Sequence, residues 1–451
     1  DWKYGLRQEL SWQGFHYSDL CNFRKRLLEH GRERVVFERL VAYLRERGYI
    51  KERGKQRTDS TKILGLVSRL SHLELVWETI RLTVRALGEA DRSWVRKYLP
   101  VSFVDNYSQR RWDFRLSEAE IVQRLGEAGQ EGYWLVDQVQ GQGCAELQAL
   151  AAVKQLRRVL EEQFIRREDG KTTPRPPGQA KGDVITNPHD PEVRYSYKGG
   201  QGWVGYRLQV TETAGEESRF ITDVEVVSAI RQDNQCLTAI QDRLVQQGIP
   251  PGKQYVDQGY MSGRHIADSL TKGIDLRGYV REGNTSKPEG FRLRDFDLDI
   301  DQRRAICPAG KKQVRWGRAT VGAKNLIAYH VGFGSQCQSC SHFGPDLCTD
   351  RPNGRHLAVS AYHDHIQARR EEADTEAFKQ EMHIRAGIEG TVSEMVRSHG
   401  LRRSRFRGRR KNQLQALFIA AATNLKRLAH CSLVSVWATV GPLHLSGASA
   451  A

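Results

Sequence analysis

Residues 203–210 read Trp203-Val204-Gly205-Tyr206-Arg207-Leu208-Gln209-Val210, and residues 220–227 read Phe220-Ile221-Thr222-Asp223-Val224-Glu225-Val226-Val227. Their alternating pattern predicts two strands. Thr213-Ala214-Gly215-Glu216-Glu217-Ser218 between them has turn composition, so the pair predicts a hairpin. Leu237, Ile240, Leu244 and Val245 then mark a helix. Gln254-Tyr255-Val256-Asp257 is a short strand stopped by Gly259. Ser262 caps a helix from His265 to Leu270, and Leu276-Arg277-Gly278-Tyr279-Val280 is a further strand. Hairpin, helix, strand, helix, strand implies an α/β fold with a mixed sheet. In such sheets functional groups gather at the carboxyl ends of strands, where Asp257 stands.

Outward from this core, residues 1–54 predict helices with basic residues on the outer face. They are expected to form a DNA-contacting region of a chain that starts mid-structure, at Asp1. Gln56-Arg57-Thr58-Asp59-Ser60-Thr61-Lys62-Ile63-Leu64 reads as a strand or as a helix N-cap at Asp59 or Ser60. Residues 65–182 are a helical stretch closed by the Pro-rich basic linker 171–181. The core is expected over 183–282. Residues 283–355 lose the rhythm and carry Cys307, Cys337, Cys340 and Cys348. The Cys337-x-x-Cys340 spacing is that of a metal knuckle, which makes the four cysteines candidate zinc ligands.

In residues 356–430, Ile384, Ile388, Val392, Met395 and Val396 form one helical stripe, and Arg385, Glu389, Ser393 and Arg397 form another. Gly387 and Gly390 weaken a helix interior, so close approach of a backbone or ligand is expected at both. No acidic residue follows Glu394. The run Arg402, Arg403, Arg405, Arg407, Arg409, Arg410 and Lys411 is dense in positive charge. The last helix is expected to bury Leu414, Leu417, Phe418, Ala421, Ala422, Leu425 and Leu428, and residues 431–451 to fray.

Composition agrees with a polyanion partner. The 451 residues carry a formal net charge of +16, and such a surface attracts nucleic acid. No apolar run has the length of a membrane span. Eight cysteines are few for the length, which argues against a secreted disulfide scaffold and for a reducing, cytoplasmic setting. Asp257 and Glu389 need one more acid to hold two divalent ions at a phosphodiester. Carboxylate ligands suit Mg²⁺ (or Mn²⁺). Asp59, Asp190 and Asp233 are all open as the third.

The chain resembles the bacterial insertion-sequence DDE transposases, in the group with a long helical insertion and a cysteine-bearing one. The resemblance rests on Asp1-Trp2-Lys3-Tyr4, Gln56 to Thr61, Ser196-Tyr197-Lys198 with Trp203 to Tyr206, and Val256-Asp257-Gln258-Gly259-Tyr260. It continues through Cys307-Pro308-Ala309-Gly310, Cys337-x-x-Cys340, Arg385 to Thr391, and Asn424 to Leu428. It implies an RNase H-like core with a Mg²⁺-binding triad of Asp59, Asp257 and Glu389. It also implies Arg385 and Arg397 at phosphate, cleavage of double-stranded DNA at element ends, and joining of the freed 3′-hydroxyl to target DNA. A homodimer assembled on DNA is expected. Two competing readings are a catalytically silent DNA-binding derivative and a nuclease without strand transfer.

Overall fold

The computed structural model describes residues 8–108, 116–176, 182–215, 219–281, 290–321 and 326–440. The Asp1–Tyr4 motif, part of the linker 171–181, the end of the hairpin turn at 216–218 and the tail beyond 440 lie outside them.

Two helices, α1 (Asp19–Glu29) and α2 (Val35–Glu46), precede the first strand β1 (Lys55–Leu64). The strand reading of residues 56–64 therefore holds over the N-cap reading. A helical block follows, chiefly α3 (His72–Ala90), α4 (Glu118–Gln142) and α5 (Ala151–Gln163). Then come β2 (Arg194–Lys198), β3 (Gln201–Thr213), β4 (Ile221–Ser228), α6 (Asn234–Gln246), β5 (Lys253–Tyr255), α7 (Gly263–Thr271) and β6 (Asp275–Arg277).

The strands form one mixed sheet. β1 lies antiparallel to β3 and parallel to β5, and β6 extends it parallel to β5. On the other side of β3, β2 pairs antiparallel with its first residues and the hairpin partner β4 with the rest, giving the order β2-β3-β1-β5-β6 with β4 also paired to β3. This mixed α/β arrangement is consistent with the RNase H-like core that the resemblance implies.

The edge strand β4 is covered rather than left open. The long last helix α11 (Arg409–Val440) runs against it. The Asn424 amide accepts from the Ile221 N–H and donates to the Ile221 carbonyl, both at 2.8 Å. Gln413 accepts from Val226 N–H at 2.6 Å and donates to the Val224 carbonyl at 3.0 Å. Side-chain amides thus satisfy backbone groups that an edge would otherwise expose.

Three expectations change. The N-terminal helices belong to the main core: Phe37, Val41, Leu44 and Ile50 are buried in one cluster with the sheet and α11. Residues 283–355 are not the irregular stretch expected of them. There β7 (Arg315–Val321) and β8 (Leu326–Gly332) join β9 (His356–Ser360), just beyond the stretch, in a three-stranded antiparallel sheet over a small core of its own. The last helix continues to Val440, and Ala422 and Leu425 are exposed. Ala416, Ala420, Thr423 and Asn424 are buried in their stead.

The insertion between β1 and β2 does not interrupt the sheet because it has an independent core. Leu73, Val76, Ile80, Leu135, Leu156 and Leu160 are among its buried residues. Serine capping boxes, Ser71 with Glu74 and Ser117 with Glu120, start α3 and α4. Gly129 allows α4 to approach the end of α5, since a Cβ there would lie 2.4 Å from the Phe164 ring.

Of the C-terminal helices α8 (His363–Ala373), α9 (Glu376–Met382), α10 (Gly387–His399) and α11, the last two are joined to the sheet by one buried carboxylate. Glu212, fully buried at the end of β3, accepts from Arg57 Nε of β1 at 2.7 Å, from the Thr391 hydroxyl of α10, and from Arg427 Nη1 of α11 at 3.2 Å. Removing one partner of such a group leaves buried charge uncompensated. Glu212→Ala is therefore expected to cost about 3–5 kcal/mol of stability, read as a lower urea midpoint. A midpoint equal to that of wild type would show that the network does not hold the helices to the sheet.

Candidate functional site

β1 presents Arg57, Asp59 and Thr61 on one face by strand alternation. That face meets the segment leading into α10. Arg57 donates to the Ile384 carbonyl. Arg385 Nη1 lies 3.5 Å from Asp59 Oδ2. At Gly387 the close approach is made by a side chain rather than by a backbone or ligand: a Cβ there would fall 2.1 Å from the Arg57 guanidinium. At Gly390 no backbone comes close, and a Cβ would make only ordinary contact with Arg219, at 3.6 Å.

β5 is parallel to β1, with Arg57 level with Tyr255. Two residues further on, Asp59 and Asp257 become neighbours. Asp257 accepts from the Gly259 N–H at 2.8 Å, which fixes the turn after the strand. Burial raises the pKa of Asp59, and the Asp257 charge raises it further. The Ser60 N–H, at 2.7 Å, and the charges of Arg385 and Lys198 oppose this. Two carboxylates sharing a partly desolvated site resist joint ionisation, and a cation relieves that resistance.

Asp233 belongs to the same neighbourhood. It stands just before α6, and its Oδ1 accepts from Gln209 at 2.9 Å and Arg207 at 3.2 Å. The position a Cβ on Gly259 would take is 3.0 Å from Asp257 Oδ1 and 3.6 Å from Asp233 Oδ2. Below them Tyr260 is fully buried and donates to Gln209. Its hydroxyl is held well above the usual tyrosine range by burial first, then by the fields of Asp233, Asp59 and Asp257.

Asp190 does not join this group. Both its oxygens accept from the Tyr206 hydroxyl, at 2.9 and 3.0 Å, and Oδ2 also accepts from the Gly408 N–H at 3.1 Å. It ties the chain before β2 to β3 and to the start of α11.

Glu389 is exposed in the first turn of α10, one turn beyond Arg385. The anchoring of α10 to β1 through Arg57 and Glu212 sets Glu389 on the helix that covers the Asp59 face. Among the described residues, no three His, Cys, Asp or Glu side chains are spaced to hold a metal ion.

The basic run is less uniform than the sequence suggests. Arg402 is half-buried, donating to the Lys62 carbonyl at 2.6 Å and the Thr61 hydroxyl at 3.1 Å, and burial lowers its pKa. Its backbone pairs with the end of β1: the Arg402 carbonyl accepts from the Leu64 N–H, and the Leu64 carbonyl accepts from the Ser404 N–H, both at 2.8 Å. Arg410 pairs with Glu33, and Arg409 lies 3.8 Å from Glu192. Arg397, Arg403, Arg405, Arg407 and Lys411 are exposed. The acids missing after Glu394 in sequence are supplied from elsewhere in the chain.

Sequence reasoning missed Glu212, Asp233's closeness to Asp257, and Glu381. Glu381 of α9 accepts from Lys253 at 2.7 Å, from the Tyr255 hydroxyl at 2.6 Å, and from Arg277. Burial works against its ionised form, but these donors hold its carboxyl down at about 2. It docks α9 on β5 and β6, immediately before Asp257. A charged residue at the end of an otherwise alternating strand is the signal that could have flagged Glu212.

Residues 306–429 match the family described as a transposase DDE domain. The match includes Glu389 and the four late cysteines, and stops short of Asp59 and Asp257. No curated protein and no solved structure matches the chain. Among the described residues, no helix is long and apolar enough to cross a membrane.

Because its folded-state pKa is raised, Asp59 opposes folding once ionised, and this effect vanishes as pH falls below the ordinary carboxylate range. Metal-free Asp59→Asn is thus expected to melt above wild type at neutral pH, with the gap closing on acidification. Mg²⁺ should raise the melting temperature of wild type but not of the variant. Equal Mg²⁺ responses would exclude Asp59 as a ligand.

Proposed function

We propose, from the match of residues 306–429 to a transposase DDE domain, that the chain is a DDE transposase that cleaves double-stranded DNA at the ends of an insertion sequence and joins the freed 3′-hydroxyl to target DNA. The observation that carries the reading is the convergence of Asp59 and Asp257 beneath the helix that bears Glu389.

The donor set fits Mg²⁺ or Mn²⁺. It consists of hard carboxylate oxygens, and the two aspartates carry mutual repulsion that a divalent cation removes. Asp59, Asp257 and Glu389 would hold the ions. When bound, they supply activation of the attacking oxygen and stabilisation of the leaving one.

The protein's own residues do the remainder. The rigid β1-β5 pair fixes the two aspartates, and the Gly259 N–H orients Asp257. Arg385 balances Asp59 in the free protein. Its guanidinium becomes a phosphate donor once the aspartate is otherwise engaged, since a planar fork suits phosphate oxygens. Arg397 adds charge further along the same helix, and the exposed members of the 402–411 run extend the DNA track. Two copies assembled on DNA would present one site to each element end, in a nucleoid-associated setting. A joining assay separates this reading from a nuclease without strand transfer.

Asp257→Asn and Glu389→Gln are each expected to lower Mg²⁺-dependent nicking of element-end DNA by about a hundredfold or more, with DNA affinity retained. Wild-type nicking by either variant would break the triad. A second experiment concerns the track. Replacing Arg403, Arg405, Arg407 and Lys411 with Gln should flatten the dependence of log K on log salt by up to about 0.9 for each phosphate that is no longer neutralised. A slope equal to that of wild type would place the run away from DNA.

A further inference from the structure

The cysteine-bearing unit holds an arrangement that the nuclease site does not use. Cys307, Cys337, Cys340 and Cys348 come from three separate turns, yet all line one pocket. All four are free thiols.

The turns have the backbone form that presents sulfur inward. In Cys307-Pro308-Ala309-Gly310-Lys311, the Gly310 N–H donates to the Cys307 carbonyl at 2.8 Å, with Gly310 at φ +75°. The Lys311 N–H then donates to Cys307 Sγ at 3.3 Å. In the second turn, the Cys340 N–H donates to the Cys337 carbonyl at 3.0 Å. Backbone N–H donors to sulfur favour the thiolate over the thiol.

The surroundings suit a dianionic centre. Four thiolates and one Zn²⁺ carry two net negative charges, and Lys311 and Arg355 line the same pocket. Arg355 Nε is buried without a hydrogen-bond partner, so its charge is only partly answered by the Cys348 and Phe291 carbonyls. The apolar core of the unit is small, centred on Phe296, Val331, Phe333, Leu357 and Val359. A core of that size gains from a metal staple.

We propose that Cys307, Cys337, Cys340 and Cys348 form a closed, structural four-thiolate zinc site that stabilises this insertion. The four thiols share the pocket without standing at ligand spacing. Binding draws them together by rotation of the cysteine side chains within the pocket. Each ligating S–H loses its proton to solvent as the S–Zn bond forms, so no oxidant or reductant takes part.

The test is metal content of the purified full-length chain after dialysis against a weak chelator, read by elemental mass spectrometry. About one zinc per chain is expected, lost in Cys340→Ser and Cys348→Ser and kept in Cys21→Ser and Cys144→Ser, whose cysteines are exposed elsewhere. Should the first two variants fail to fold, Co²⁺ loaded into wild type decides. Tetrahedral ligand-field bands with sulfur charge transfer support the site, and octahedral bands overturn it. A folded, zinc-free wild type, zinc retained in Cys340→Ser, or disulfides among the four overturn it as well. Asp257→Asn should keep its zinc, so loss of the catalytic reading and loss of this one are told apart.

Discussion

A fully buried glutamate governs how this chain is assembled. Glu212 sits where two strands of the sheet and two helices from the far end of the chain meet, and its partners Arg57, Thr391 and Arg427 each come from a different element. Burying a carboxylate is costly unless it is fully answered. The cost makes the arrangement selective, because displacing α10 or α11 would strand charge in the interior. The same contact that closes the core therefore fixes the helix carrying Glu389, and Arg385 at its entry, over the strand carrying Asp59.

Around that junction the chain tolerates large additions. The helical block between β1 and β2 and the small sheet after β6 each have separate apolar clusters. Neither has to compete with the central sheet for burial. This is why 326 positions can separate Asp59 from Arg385 while the sheet order stays simple. Long connections raise the entropy of closure only slowly with length.

The charges follow one logic at the site and another at the surface. At the site, Asp59, Asp233 and Asp257 crowd above the buried Tyr260, and Arg207, Arg385 and Gln209 answer them only in part. At the surface, Glu33 and Glu192 neutralise two members of the basic run, and Arg402 turns inward to extend β1. A dense run of arginines thus divides into residues that hold the fold and residues that face solvent.

Alternation in 203–227, the short strand ending at Asp257 and the helical stripes around Glu389 determined the α/β class and most elements, because burial on one face writes its period into the sequence. The strand identity of 56–64 stayed open, since its polar residues point into hydrogen bonds and ion pairs made by distant segments, as Arg57 and Gln56 do. The strands of the cysteine-bearing unit were hidden for a related reason: their core is too small to impose a long apolar pattern. Only the tertiary structure decided that Asp190 is consumed by Tyr206 and Gly408, that Asp233 stands beside Asp257, and that Gly387 makes room for Arg57. Those outcomes depend on which side chain reaches which across the folded chain, and local sequence carries no record of distance in space.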